Sequence, residues 1–350
     1  MKQASKNKAK LINKSAKIVN FFNGFPIKKI YGGFGHILMF HRVLPFSNKN
    51  RIWSNSYLEV TPEFLENTIL YFKNKNYQFI SLDELDYFIE NKIFPKKKFV
   101  IYTFDDGFKD NLIYAYPIFK KYNIPLTIYV TTSFPDYKAC LWWNILENLI
   151  LDNQIIEFNF KDTIYSYNCD NSKNKEIAFE KTHNFIKSIE IEDLKPFLKD
   201  LFRNYDTEEY VKSVVLNWDE IRQLSLTDIV TIGAHTISHN SLSKLTENES
   251  FNEISDSKKI IESKVGNKVN HFAYPYGSND DFGEREINYC KDLGFKTATT
   301  TISANIVKKY YENQYRLPRI AVGMSMTEAT LDLIRAGIIP MIRNKGKIFV

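Results

Sequence analysis

Two adjacent carboxylates, Asp105 and Asp106, close a strongly apolar run in the segment Thr103-Phe104-Asp105-Asp106-Gly107. Neighbouring side chains leaving a strand point in different directions, so one could bind a metal while the other takes a proton. Charge placed after a buried strand is costly unless it is paired or metal-bound. The competing reading is a turn with an Asp cap, because Asp-Gly is a common turn pair. A second segment favours chemistry: His235-Thr236-Ile237-Ser238-His239 follows an apolar run ending at Gly233-Ala234. Two imidazoles at i and i+4 can converge on one ion, and two His with one carboxylate are a usual set for zinc or a similar divalent metal. An open position on such an ion activates a water.

Two further segments have the same form, an apolar run that ends in a polar or turn residue. In Phe272-Ala273-Tyr274-Pro275-Tyr276-Gly277, Pro275 fixes the chain and Gly277 permits close backbone approach, so the Tyr276 N–H could point outward at an oxyanion. An ordinary aromatic Pro-Gly turn is the competing reading. In Met39-Phe40-His41-Arg42-Val43, His41 has an intrinsic pKa near neutrality and could serve as a general acid. A core or capping His is the alternative there.

The elements that must position these groups alternate. HILMF (36–40), FISL (79–82), FVIYTF (99–104), LTIYVTT (126–132), IVTIGA (229–234) and the start of HFAYPYG (271–277) read as strands. Helical patterns lie between them: one from the Thr61-Pro62-Glu63 start signal, one from Asp83, then Leu112–Tyr122, Trp218–Leu226 and Asn252–Val265. Such β–α alternation predicts an α/β fold, a parallel sheet or (β/α) barrel with helices outside, whose active residues sit just beyond strand C-termini. Residues 141–210 break the rhythm with polar sequence and helix-like pieces at 141–151 and 176–204, and they read as an insertion or lid. The expected organisation is a basic N-terminal segment at 1–35, a barrel at 36–140 and 211–325 interrupted by that insertion, and a basic C-terminal tail at 326–350.

The chain has 350 residues, 44% hydrophobic and 25% charged, enough for one large domain with insertions or two modest ones. Its net charge of +6 is too mild to indicate a nucleic-acid partner. Cys140, Cys169 and Cys290 are odd in number and widely spaced, which argues against a disulfide framework or a thiolate zinc site. The Lys-studded start does not read as a secretory signal, and no stretch approaches the ~20 apolar residues of a membrane span. The expected compartment is cytoplasmic. Lys residues among Leu11, Ile12, Ile18, Val19, Phe21 and Phe22 could form a basic amphipathic helix, and Arg343, Lys345 and Lys347 beside Ile338 to Ile342 repeat the theme. Peripheral contact of both ends with an anionic inner membrane is one reading, and solvated ends packed on the domain are the other.

TFDDG, then HTxSH, then the Tyr-Pro-Tyr-Gly turn resemble, in this order, the polysaccharide deacetylases of carbohydrate esterase family 4, the NodB-homology group. The resemblance covers about residues 36–322 outside the insertion. It implies a distorted (β/α) barrel of the NodB-homology type with a helical insertion, and metal-dependent removal of acetyl groups from sugars. Carried across, Asp105 resembles the general base, while Asp106, His235 and His239 resemble the ligands of a divalent metal, zinc first and cobalt, nickel or manganese as alternatives. The Tyr276 N–H resembles the oxyanion donor. The family's third motif begins with an Arg that orients the base, and Ala273 stands there instead, so Arg319, Arg316 or Arg42 must substitute. No His follows His271 to serve as the usual acid. Some relatives acting on exported polysaccharides carry the acid in an N-terminal apolar-His-x-Val segment, which MFHRV resembles, giving His41 the acid role.

The implied partner is an acetylated carbohydrate, an N-acetyl sugar of a cell-surface polysaccharide or of its lipid- or nucleotide-linked precursor. Of the tryptophans, Trp53, Trp142 and Trp143 could stack on sugar rings, while Trp218 shares helix spacing with Ile221 and Leu224 and reads as core. Competing readings are a hydrolase of another sugar amide such as a formyl group, a non-catalytic glycan-binding relative, and a membrane adaptor needing no metal.

Overall fold

Apolar runs without polar alternation suit strands buried on both faces. In the structure, a computed structural model that describes residues 30–47 and 51–348, they become the middle of a parallel sheet. The strands are β1 (Gly35–Phe40), β2 (Arg42–Val43), β3 (Glu59–Val60), β4 (Gln78–Phe79), β5 (Phe99–Phe104), β6 (Leu126–Val130), β7 (Ile155–Phe160), β8 (Thr163–Asn168), β9 (Val230–Ala234), β10 (His271–Ala273), β11 (Thr297–Thr299) and β12 (Ile320–Ala321). The main sheet runs β11-β10-β9-β6-β5-β1-β12, with β4 also on β5, and every pairing in it is parallel. A parallel bridge between Thr299 and Leu317 brings the approach to β12 back against β11. Helices surround this curved sheet, the arrangement of a NodB-type (β/α) barrel.

The pleat divides each strand between two cores. Leu38, Phe40, Tyr102, Phe104, Ile128 and Ile232 join the core under the outer helices, while Ile37, Ile101, Tyr129, Ala273 and Leu317 pack together in the interior. Each fully buried side chain of this size contributes about 1.5–3 kcal/mol. Register then aligns the strand ends. Phe40 lies opposite Phe104, and Val130 opposite Ala234. His41 and Asp105 therefore leave the sheet side by side, and His235 leaves it at the same level.

Local chemistry sets the helix starts. Thr61 caps the helix Pro62–Asn74 by accepting from the Phe64 N–H, with Pro62 at its first position. Ser81 and Glu84 form a capping box that starts Leu82–Glu90, which ends β4 at Phe79, short of the expected Leu82. A Thr246–Glu249 box starts the helix Glu247–Val265 upstream of the expected Asn252. The pattern at 112–122 resolves into a widened turn, Asn111–Ala115, and then a helix, Tyr116–Tyr122.

Between β6 and β9 the segment 141–210, expected as an insertion, folds around its own apolar cluster, which includes Trp142, Ile145, Phe158, Phe179, Phe197 and Phe202. Its helices are Trp142–Asp152, Ser172–Ser188, Ile191–Leu201 and Thr207–Val214. It also contains an antiparallel hairpin of β7 and β8 that the helical pattern did not anticipate. Lys161 and Asp162 make its two-residue turn with φ of 45° and 60°, the backbone a tight hairpin requires. Arg51 ties the insertion to the barrel: its guanidinium donates to Glu147 at 2.7 Å and to Glu59 of β3 at 2.6 and 2.7 Å.

Beyond residue 325 the chain forms the helices Glu328–Arg335 and Ile338–Arg343, and Leu331 and Ile334 enter the main core. The Tyr31 hydroxyl donates to the Gly346 carbonyl at 2.7 Å, so the first described residues lie against the last turn. The expected amphipathic helix of the N-terminal segment falls almost wholly on residues 1–29, outside the described residues. No described helix is long and apolar enough to cross a membrane.

Candidate metal centre and catalytic cleft

Asp105 follows β5 directly, and its N–H donates to the Phe40 carbonyl at 3.0 Å. Its carboxylate is 2% exposed and is gripped by Arg319 at 2.6 and 2.7 Å, one guanidinium nitrogen to each oxygen. Arg319, fully buried, also donates to the Thr300 carbonyl at 2.9 Å and the Thr103 hydroxyl at 3.1 Å. Burial pushes the Asp105 carboxyl up, but the charge of Arg319, helped by His235 and His41, outweighs it and brings the pKa down to about 2. Asp105 is thus held as a carboxylate in an apolar setting.

At Asp106 the backbone turns left-handed, with φ of 73°, which sends this side chain away from Asp105. Asp106 Oδ1 lies 3.7 Å from His235 Nε2 and 3.4 Å from His239 Nε2, and the three ligand atoms fall within 4.8 Å of one another. The His235 Nδ1 donates to the Ala273 carbonyl at 2.7 Å, which leaves the Nε2 lone pair facing the cluster. Asp106 Oδ1 is buried with no hydrogen-bond partner among the described residues. Burial and the neighbouring Asp105 charge push the Asp106 carboxyl far up, while burial pushes both imidazoles down. A carboxylate short of positive charge beside two neutral imidazoles is relieved on both counts by a bound cation. The residues fit a divalent metal, and their mixed N/O set suits zinc among others.

The other expected groups surround this cluster. His41 Nε2 stands 3.9 Å from Asp105 Oδ2, its ring 20% exposed and its Nδ1 without a hydrogen-bond partner among the described residues. Burial lowers its pKa to about 4 against the pull of Asp105, so it is neutral at neutral pH. The Asn111 amide donates to the His41 carbonyl at 2.9 Å, and Arg42 and the Val43 N–H both bond Asp110, which fixes this segment. Tyr276 adopts φ of 57°, and no described group accepts from its N–H. Its ring meets His239 edge-on at 4.9 Å.

Of the three arginines considered, the structure places Arg319 on Asp105, Arg316 on Asn279 and Arg42 on Asp110. One contributor, Glu253, carried no sequence signal of its own. Glu253 accepts from the Ile237 and Ser238 N–H groups at 2.8 and 2.9 Å and so holds the loop between the two histidines. Trp143 packs 5.5 Å from the His239 ring, and the Trp142 indole reaches the Tyr276 hydroxyl, so the insertion forms one wall of the site. Trp218 packs on the main core and donates to Asp136 at 2.7 Å, away from these groups.

A family model described as polysaccharide deacetylase matches residues 92–161 and 182–298, more than half of the chain. A Bacillus subtilis protein named "Putative polysaccharide deacetylase YxkH" is 21% identical over 284 residues, which cover 81% of this chain and 73% of that protein. Among solved structures, the Streptococcus pyogenes deacetylase PplD in complex with acetate superposes with a TM-score of 0.55 at 19% identity, covering 85% of this chain and 95% of that one. IcaB from Ammonifex degensii superposes with a TM-score of 0.54 at 16% identity, covering 88% and 98%. These likenesses show a shared fold.

Proposed function

We infer, from the premise that this chain belongs to the polysaccharide deacetylase family, that it uses a divalent metal to remove N-acetyl groups from a sugar of a cell-surface polysaccharide or its precursor. It is a hydrolase acting on the carbon–nitrogen bonds of acetylated carbohydrate. The observation that carries the metal-dependent reading is the union, at adjoining strand ends, of an Arg-paired carboxylate with the Asp106–His235–His239 cluster.

A metal held by Asp106, His235 and His239 would supply Lewis acidity toward the acetyl carbonyl and an attacking water. Asp105, kept ionised by Arg319, takes the proton that the water sheds on attack. The Tyr276 N–H donates to the oxyanion that develops on the carbonyl oxygen. His41 protonates the departing amine. The proton collected by Asp105, which lies 3.9 Å from His41 Nε2, is matched by the one His41 delivers to the amine nitrogen, and the water's second proton leaves with the new carboxyl group, which ionises to acetate. Acetate and a free amino sugar result.

Acetate release from a panel of polymeric, oligomeric, lipid-linked and nucleotide-linked N-acetyl sugars tests this reading, with metal stripped and restored. Activity that survives stripping, or persists in Asp105→Asn and His235→Ala, overturns it. Product masses separate loss of acetyl from loss of formyl. We further propose a cytoplasmic protein that contacts the inner membrane peripherally. Supporting this, the chain enters the described region beside the C-terminal turn, where Ile342 is exposed next to Arg343, Lys345 and Lys347. Co-sedimentation with anionic but not neutral vesicles checks it.

A further inference from the structure

Trp53 and Tyr57 are large aromatic residues left 48% and 50% exposed. An exposed Trp on a loose loop would mean little, but this one is held in place. The carboxylate of Glu176 accepts from the Trp53 N–H, and from the Ser54 N–H and hydroxyl at 3.1 and 2.9 Å. One residue earlier, Glu147 accepts from the Ile52 N–H at 2.9 Å and from Arg51. Glu147 of the helix Trp142–Asp152 and Glu176 of the helix Ser172–Ser188 thus pin this turn against both helices. The gap between the turn and the helix Ser172–Ser188 is a pocket of about 390 Å³ that Trp53 and Tyr57 share with Glu180, His183 and Asn184.

Trp142 and Trp143 stand between this pocket and the catalytic cleft. His183 lies 5.0 Å from the Trp142 ring, Trp142 meets Trp143 at 5.6 Å, and Trp143 packs 5.5 Å from the His239 ring. Flat apolar faces beside a carboxylate, an amide and an imidazole make a lining suited to a pyranose, whose C–H face stacks on aromatic rings while its hydroxyls take hydrogen bonds. We propose that the Trp53–Tyr57 pocket is a second saccharide subsite that holds a more distant residue of the oligosaccharide deacetylated in the cleft. The subsite rests on the deacetylase reading for its biological use, though not for its ability to bind. It makes the insertion the part of the chain that selects oligomeric over monomeric substrate.

The test compares Trp53→Ala, Tyr57→Ala and Trp53→Phe with the unaltered protein, using N-acetylglucosamine and its tetramer as probes. Both positions are exposed, so folding is expected to be retained, and circular dichroism checks it. For the tetramer, KM should rise about three- to tenfold in each Ala variant with kcat unchanged, since one stacked ring is lost. The monomer should be unaffected, and Trp53→Phe should recover most of the difference. Calorimetric titration with the fully deacetylated tetramer reads the same loss without turnover. Equal effects on monomer and tetramer overturn the subsite, as do no effect on either and an effect confined to substrates with a lipid tail. If the unaltered protein releases no acetate from any sugar while Trp53→Ala still weakens tetramer binding, the deacetylase reading fails and the subsite stands.

Discussion

Replacing Arg319 by Met leaves the Asp105 carboxylate in its 2% exposed position without its cation, while the Met side chain fills most of the aliphatic stem volume. In the intact protein the depression of the Asp105 pKa from 3.8 to about 2 corresponds to a net stabilisation on the order of 2 kcal/mol above pH 4. That figure already includes the opposing cost of burial. Removing one partner alone exposes the cost, so Arg319→Met should destabilise by about 3–5 kcal/mol. The lost bonds to Thr300 and Thr103 add about 1 kcal/mol each. Asp105→Asn orphans the guanidinium instead, at a similar cost. The double variant leaves neither charge of the pair buried and should recover on the order of 2–4 kcal/mol relative to the sum of the singles. Urea unfolding in chelator at pH 7 measures all four proteins. The pH dependence has a definite sign: because the folded-state pKa is depressed, the pair stabilises fully above pH 4 and its contribution fades as pH falls toward 2. The gap between wild type and Arg319→Met should therefore narrow over that interval. Single variants costing under about 1 kcal/mol, or additive within about 0.5 kcal/mol, would refute the proposed role of the pair.

Three other outcomes are expected. Zinc at a hundred times its dissociation constant should raise unfolding free energy by about 2.7 kcal/mol, and Asp106→Asn should abolish most of that gain in a thermal shift assay. Asp83 is held down at about pKa 2 by the His271 imidazole, whose Nε2 approaches its carboxylate to 3.3 Å, so Asp83→Asn should flatten the acid limb of the stability profile between pH 4 and 2, followed by circular dichroism. Gly277 has φ of 60°, and a Cβ there would lie 2.8 Å from the Thr301 nitrogen, so Gly277→Ala should destabilise by about 1–3 kcal/mol and lower kcat by displacing the Tyr276 N–H.

The strand runs ending at Phe104 and Ala234 were readable because burial on both faces demands unbroken apolar sequence, and the groups that follow them inherit their placement from register. That is why Asp105, Asp106, His235, His239 and His41 could be singled out by eye. Arg319 could not be separated from Arg316 or Arg42, because its bond to Asp105 spans 214 residues and no local pattern encodes it. The insertion hairpin was missed for a different reason: IIEFNF and TIYSYN alternate with period two, but they lie in polar sequence whose turn, Lys161-Asp162, lacks the usual Asn or Gly. Trp142 and Trp143 were noticed as aromatic, while their contact with Tyr276 and His239 depends on how a separate apolar cluster docks on the barrel.

The pairing of β1 with β12 joins Leu38 to Ile320, so the first strand waits for nearly the whole chain before its second edge is covered. During synthesis, Asp105 emerges long before Arg319, and until then the nascent sheet carries an uncompensated carboxylate and an open strand edge. High sequence separation of this kind slows the closing step. The β1–β12 pairing and the Arg319–Asp105 ion pair are then made together and late, so a chain halted short of Arg319 holds every expected metal ligand, His41 and Asp105 and still lacks the cation that pairs with Asp105.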